Sequence, residues 1–174
     1  MICGIEWVYI IKKWGKVGKT LGKTLTPWGK AMFIGEYTYK IDDKKRLAVP
    51  SKFRKELKKK AVITRGLERS LFLFSETEWK KMAEKMNNLP FVQQDARGFA
   101  RIMFAGAMEV EFDSLGRILI PDYLKEYASL KKEVVFAGVH KRIEVWDKQK
   151  WEEYKKKTEN EIGDIAERLK ELGI

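Results

Sequence analysis

The stretch GEYTYKIDDKKRLAVPSKFRKEL, residues 35–57, returns in the same chain as GAMEVEFDSLGRILIPDYLKEYA, residues 106–128. Gly35 falls on Gly106, Asp42 on Asp113, Arg46 on Arg117 and Pro50 on Pro121. The apolar positions agree as well: Ile41 with Phe112, Leu47 with Ile118, Val49 with Ile120, Phe53 with Leu124. After a one-residue insertion the match resumes, pairing Val62 with Val134, Gly66 with Gly138, Leu71 with Ile143, Phe74 with Trp146 and Trp79 with Trp151. One supersecondary unit is written twice.

Each copy reads the same way. Tyr37–Ile41 and Met108–Phe112 are strand-like, and turns follow at Asp42–Lys45 and Asp113–Gly116. Arg46–Val49 and Arg117–Ile120 are short β-rich runs. Pro50 and Pro121 end them and start short helices over 51–59 and 122–130. Strands then follow at Val62–Thr64 and Val134–Phe136, turns at Gly66 and Gly138, and strands at Ser70–Phe74 and Arg142–Trp146. Ser75 and Asp147 are suited to cap helices carrying Trp79 and Trp151, which read as core anchors. The unit is therefore β-β-α-β-β-α, too small to bury a core alone. Two units complete each other by pairing hairpins into one closed barrel.

The expected organisation is an N-terminal extension at 1–31, a first repeat at 32–90, a connecting helix at 91–105 and a second repeat with a C-terminal helix at 106–174. The C-terminal segment spaces Trp151, Tyr154, Thr158, Ile162, Ile165, Leu169 and Leu172 along one helical face. That stripe has two readings: docking onto the protein's own barrel, or contact with another subunit.

Composition narrows the function. Net charge is +11 with a pI of about 9.6, which favours a polyanionic partner, nucleic acid before membrane. Hydrophobic residues make up 44%, enough for a packed core. Cys3 is the sole cysteine, which excludes an internal disulfide framework and a Cys-rich zinc site, and the sole histidine, His140, has no Cys or Ser partner in a recognisable motif. A reducing cytoplasm fits, and no enzyme, cofactor or metal is expected. No apolar run approaches the ~20 residues of a membrane span.

Most residues shared by the copies have structural explanations; Asp42/Asp113 and Arg46/Arg117 do not. In the spacing D-x-x-x-R, the carboxylate accepts turn N–H groups and holds the Arg across the turn. A guanidinium so held matches guanine O6 and N7, or a phosphate. A surface ion pair alone would be worth under about 1 kcal/mol, but the motif occurs twice at equivalent positions in a basic chain. Lys40, Lys44 and Lys45 surround the first turn as candidate phosphate contacts, with Lys52 nearby. The second copy has Glu111 and Leu115 where the first has Lys40 and Lys44, so the first turn reads as the stronger electrostatic site.

These residues carry a family likeness. GEYTYKIDDKKRLAVPSKFR, ARGFARIMFAGAMEVEFDSLGRILIP and GVHKRIEVW resemble the MraZ family of bacterial transcriptional regulators over about residues 32–155. The resemblance implies an α+β fold: two tandem repeats forming one pseudo-twofold, AbrB-like swapped-hairpin β-barrel with peripheral helices. It also implies ring-shaped homo-oligomers that bind G-rich direct repeats in double-stranded DNA upstream of their own division and cell-wall operon, with repression as the default. Neighbouring subunits would engage successive repeats together, so that avidity supplies affinity. The family's motif falls on Asp42 and Arg46, and on Asp113 and Arg117. A nucleoid-associated, cytoplasmic regulator with no membrane or small-molecule partner follows. One departure is Lys45, where the family usually has Gly; Gly116 keeps the pattern. A positive φ at Lys45 would cost roughly 1 kcal/mol. The alternative reading is an antitoxin-type interaction module with the same barrel; the patterned C-terminal helix argues against the disordered tail such a module uses.

Residues 1–31 lie outside the resemblance. GKT occurs at 18–20 and 22–24, but Lys13 and Val17 stand where a phosphate-binding loop needs Gly. Trp14-Gly15-Lys16, Val17-Gly18-Lys19, Leu21-Gly22-Lys23 and Trp28-Gly29-Lys30 are each encodable as a TGGG-like stretch followed by A-rich sequence. The segment is therefore expected to be upstream operator DNA read as protein, with translation starting at Met32. Otherwise it is a basic arm that touches phosphates.

Overall fold

The computed structural model describes residues 32–170. The readings of the N-terminal extension and of Leu172 lie outside the described residues. In chain order the elements are β1 (Phe33–Lys40), β2 (Arg46–Ala48), α1 (Ser51–Leu57), β3 (Lys60–Arg65), β4 (Leu71–Ser75), α2 (Glu76–Asn87), α3 (Gln94–Ala105), β5 (Met108–Glu111), β6 (Arg117–Leu119), α4 (Asp122–Ala128), β7 (Glu133–His140), β8 (Arg142–Asp147) and α5 (Lys148–Leu169). None of the described helices is long and apolar enough to cross a membrane.

The repeat is visible in the pairing. One antiparallel sheet runs β1-β7-β8-β4-β3-β5, and β2 pairs β6 in a second, two-stranded sheet. This order is unchanged when the two repeats are exchanged. Each repeat keeps its hairpin, β3–β4 or β7–β8, and lends its first strand to the other: Tyr37 opposes Phe136, and Val110 opposes Ala61. The hairpins meet at the centre, where Leu71 opposes Val145 and Leu73 opposes Ile143. Leu47 opposes its own repeat mate Ile118 in the β2–β6 pair. All six of these apolar centre residues are fully buried. They share one core with Phe33, Phe53 and Leu57 of the first repeat and Ile120, Leu124 and Phe136 of the second. Neither repeat therefore owns a core, which is why they interlock.

The sheet does not close, contrary to the closed barrel expected from two small units. β1 and β5 end the six-stranded sheet as edges. After each turn only three residues are extended before a helix begins, and these short strands, β2 and β6, pair with each other instead of extending the six-stranded sheet. A bridge between Ile41 and Leu47 ties this small sheet to the end of β1.

Several local expectations change for tertiary reasons. β1 and β7 are longer than read because they pair along their whole length, from Phe33 with His140 to Lys40 with Glu133. Gly138 is therefore a strand residue rather than a turn. A Cβ there would lie 2.6 Å from the Ile34 backbone nitrogen, so glycine permits the close approach of β1. Ser75 and Asp147 do cap α2 and α5, accepting from the N–H of Glu78 and of Gln149. Trp79 and Trp151 are not main-core anchors. Trp79 packs partly exposed on a separate cluster of Phe72, Phe74, Met86 and Met103, and Trp151 on Trp146 and Tyr154. The connecting helix leaves Phe99, Ile102 and Phe104 partly exposed, with Phe104 edge-on to Trp79, and buries Met103. The C-terminal stripe docks on its own sheet only at its start, where Trp151 and Tyr154 pack on Trp146 of β8; α5 has no fully buried residue, and Ile162 further along is 59% exposed.

Candidate nucleic-acid interface

The two D-x-x-x-R turns are built alike and stand side by side. Each precedes a strand of the β2–β6 pair, which joins across the pseudo-twofold. Asp42 Oδ1 accepts the backbone N–H of Lys44 at 3.0 Å and of Arg46 at 2.8 Å. Its Oδ2 accepts Arg46 Nε at 2.8 Å. Asp113 repeats this with Leu115 and Arg117, both N–H groups at 2.9 Å, and Arg117 Nε at 2.7 Å. Short local hydrogen bonds of this kind make the side chain part of the turn.

The turns are also tied across the repeats. Val49 N–H donates to the Gly116 carbonyl at 3.1 Å, and Ile120 N–H to the Lys45 carbonyl at 3.0 Å. Arg117 Nη1 lies 3.6 Å from Asp42 Oδ2, so one carboxylate serves both arginines. The N–H of Arg46 holds the Asp42 carboxyl below its ordinary value of 3.8, and the N–H of Arg117 does the same for Asp113. Both carboxylates are thus ionised in the conditions where they orient the guanidinium groups. Each Arg donates Nε to its carboxylate, and its Nη2 lies close to the same Oδ2, at 2.8 Å for Arg46 and 2.7 Å for Arg117. The planar fork then points its remaining donors away from that carboxylate, and both side chains are partly exposed. Such an oriented donor edge can meet a base edge or a phosphate.

Of the residues read from the sequence, Asp42, Arg46, Asp113 and Arg117 form one contiguous network. Lys44 is exposed at the first turn. Lys40 lies on β1, exposed, with Glu133 3.9 Å away. Lys45 has φ 60, the left-handed conformation that its departure from Gly put in question. Its Nζ is held by Asp122 of α4 at 2.7 Å. Sequence reasoning passed over Arg54, whose guanidinium occupies the space over Gly116. Its signal was faint: Arg54 and its repeat mate Lys125 are both basic.

Comparison with known proteins agrees with the internal repeat. A family model described as "MraZ protein, putative antitoxin-like" matches the chain twice, over residues 32–102 and 103–172. The chain belongs to the MraZ family. It is 48% identical over 143 residues to a protein of Caldanaerobacter subterraneus subsp. tengcongensis named "Transcriptional regulator MraZ". Proteins of that name from Moorella thermoacetica and Acetivibrio thermocellus are 48% and 49% identical over the same length. In all three cases 82% of this chain covers 100% of the relative. MraZ proteins are transcriptional regulators, not enzymes.

Proposed function

We propose that this MraZ chain is a sequence-specific DNA-binding regulator that reads double-stranded DNA with its paired Asp–Arg turns. It binds G-rich direct repeats upstream of its own division and cell-wall operon and represses that operon, acting on the nucleoid in the cytoplasm. The observation that carries the reading is the joined network of Asp42, Arg46, Asp113 and Arg117. Two oriented guanidinium groups on one face, in a chain of net charge +11, suit a DNA groove. Arg46 and Arg117 contact bases; Lys40 and Lys44 take phosphates beside the first turn.

The working form is a ring of identical subunits. A shallow groove on α3 is lined by Phe91, Ala100, Phe104 and Ala105 and rimmed by Arg97 and Arg101. Phe91 is 81% exposed. The distal half of α5 carries Glu159, Glu161, Asp164 and Glu167 beside exposed Ile162. The basic apolar groove and the acidic apolar helix suit each other across a head-to-tail contact, the geometry that closes into rings. Several turn pairs at fixed spacing then supply avidity.

Gel-shift binding of the protein to its upstream DNA tests the reading. Arg46→Ala and Arg117→Ala are each expected to weaken binding about 10–100-fold, the worth of one bidentate base contact. Oligomer size should not change. Well-folded wild type without preference for upstream over scrambled DNA would overturn the proposal.

A further inference from the structure

Arg54 differs from the other basic residues around the turns. It belongs to α1 of the first repeat, yet it lies against the turn of the second. A Cβ built on Gly116 would fall 1.7 Å from Arg54 Nη1 and 2.3 Å from its Cζ. Gly116 is buried beneath it and adopts φ +73. Three neighbouring cations are paired, Arg46 and Arg117 with the turn carboxylates and Lys45 with Asp122, while Lys44 stands exposed in solvent. Arg54 makes no ion pair among the described residues, and its Nε is buried without a hydrogen-bond partner. A partly desolvated guanidinium with no counter-charge is costly, and an anion seated on it would offset that cost.

The second turn also has a deficit that Arg54 fills. The first repeat places Lys40, Lys44 and Lys45 at its turn; the second has Glu111, Leu115 and Gly116 at the same positions. At the first turn the left-handed position carries its own cation, Lys45, which is tied to α4. At the second turn that position is glycine, and the vacated space holds a cation from the opposite repeat.

We infer that Arg54 is a DNA-phosphate contact of the second turn, lent by the first repeat across the pseudo-twofold. It seats the backbone flanking the bases that Arg117 reads. This rests on the reading of the turns as DNA-binding elements, and it makes the second turn more than the weaker copy of the first. Gly116 is then required twice, for its positive φ and for the room that Arg54 occupies.

The test is fluorescence anisotropy with two labelled duplexes, the upstream DNA and a scrambled duplex of equal length, over a series of salt concentrations. Arg54→Met keeps the apolar stem and removes the charge; Arg54→Lys keeps the charge. Arg54→Met is expected to weaken binding to both duplexes by the same factor. It should also lower the magnitude of the log–log salt slope by about one per bound subunit. Arg54→Lys should keep the wild-type slope. Should Arg54→Met fail to fold, Arg54→Gln is read by the same slope. An unchanged slope in the charge-removing variant, with normal wild-type binding, overturns this inference alone. So does a loss confined to the upstream duplex, which would make Arg54 a prop for Arg117. Wild type that binds neither duplex in a salt-dependent way overturns the DNA reading and this inference together.

Discussion

The two turns share a backbone and differ in how they are held. Both close with the same hydrogen bonds, Lys45 N–H to the Asp42 carbonyl and Gly116 N–H to the Asp113 carbonyl. Both place the residue before the Arg at positive φ, 60 for Lys45 and 73 for Gly116. The second turn meets that demand with glycine, which adopts the conformation freely. The first meets it with lysine, at a cost of roughly 1 kcal/mol, and anchors the side chain on Asp122. Arg54 covers the glycine turn, whereas the Lys45 side chain reaches across to Asp122 of α4. A duplicated unit can thus keep one backbone while its two copies diverge in side-chain support. Asp42 is the more connected carboxylate, because Arg117 reaches it as well as Arg46.

The largest test of the likeness lies beneath the turns, where Leu47 and Ile118 oppose each other fully buried. Leu47→Ala and Ile118→Ala should each cost about 2–5 kcal/mol in urea unfolding. A pronounced inequality would break the pseudo-twofold description of the core. A smaller effect probes the left-handed positions. Gly116→Ala should destabilise by about 1–2 kcal/mol, because a side chain there is strained and collides with Arg54. Lys45→Gly exchanges relief of strain for loss of a surface ion pair, so its change should stay within about 1 kcal/mol. Equal responses in thermal melts would show that the turns are supported alike after all.

The smallest expected effect is a pH response common to both turns. The carboxyls of Asp42 and Asp113 are held below 3.8 in the folded chain, chiefly by the N–H groups of Arg46 and Arg117. A depressed acid contributes its stabilisation fully above the unfolded value, and loses it as pH falls through the folded value. The turns should therefore be unaffected near neutrality and loosen only in acid below the ordinary carboxylate range. Carboxyl-detected NMR titration would place both midpoints below 3.8. A midpoint above it at either residue would show that turn to be open in solution.

Much of this was readable beforehand because duplication is a comparison internal to the chain. The paired Asp–Arg turns, the helix caps at Ser75 and Asp147 and the order of elements all depend on residues close in sequence. The misread features depend on partners far away. Gly138 resembles a turn glycine until β1 is seen to cross it. Trp79 and Trp151 resemble core anchors until the core is seen to fill from the opposite face. The α5 stripe has a helical period, but period does not say which surface covers it. Arg54 could not be linked to the second turn, since the contact crosses from one repeat to the other.

The sequence by itself determined that there are two equivalent units, that each carries an Asp-held Arg, and that the chain is strongly basic. These are matters of local hydrogen bonding, periodicity and charge. Only the tertiary structure decided that the repeats exchange their first strands, that the sheet remains open, and that one turn takes its cation from the other repeat. Burial compelled those choices: each unit has one apolar face and too few strands to cover it, so its missing neighbours come from the other copy.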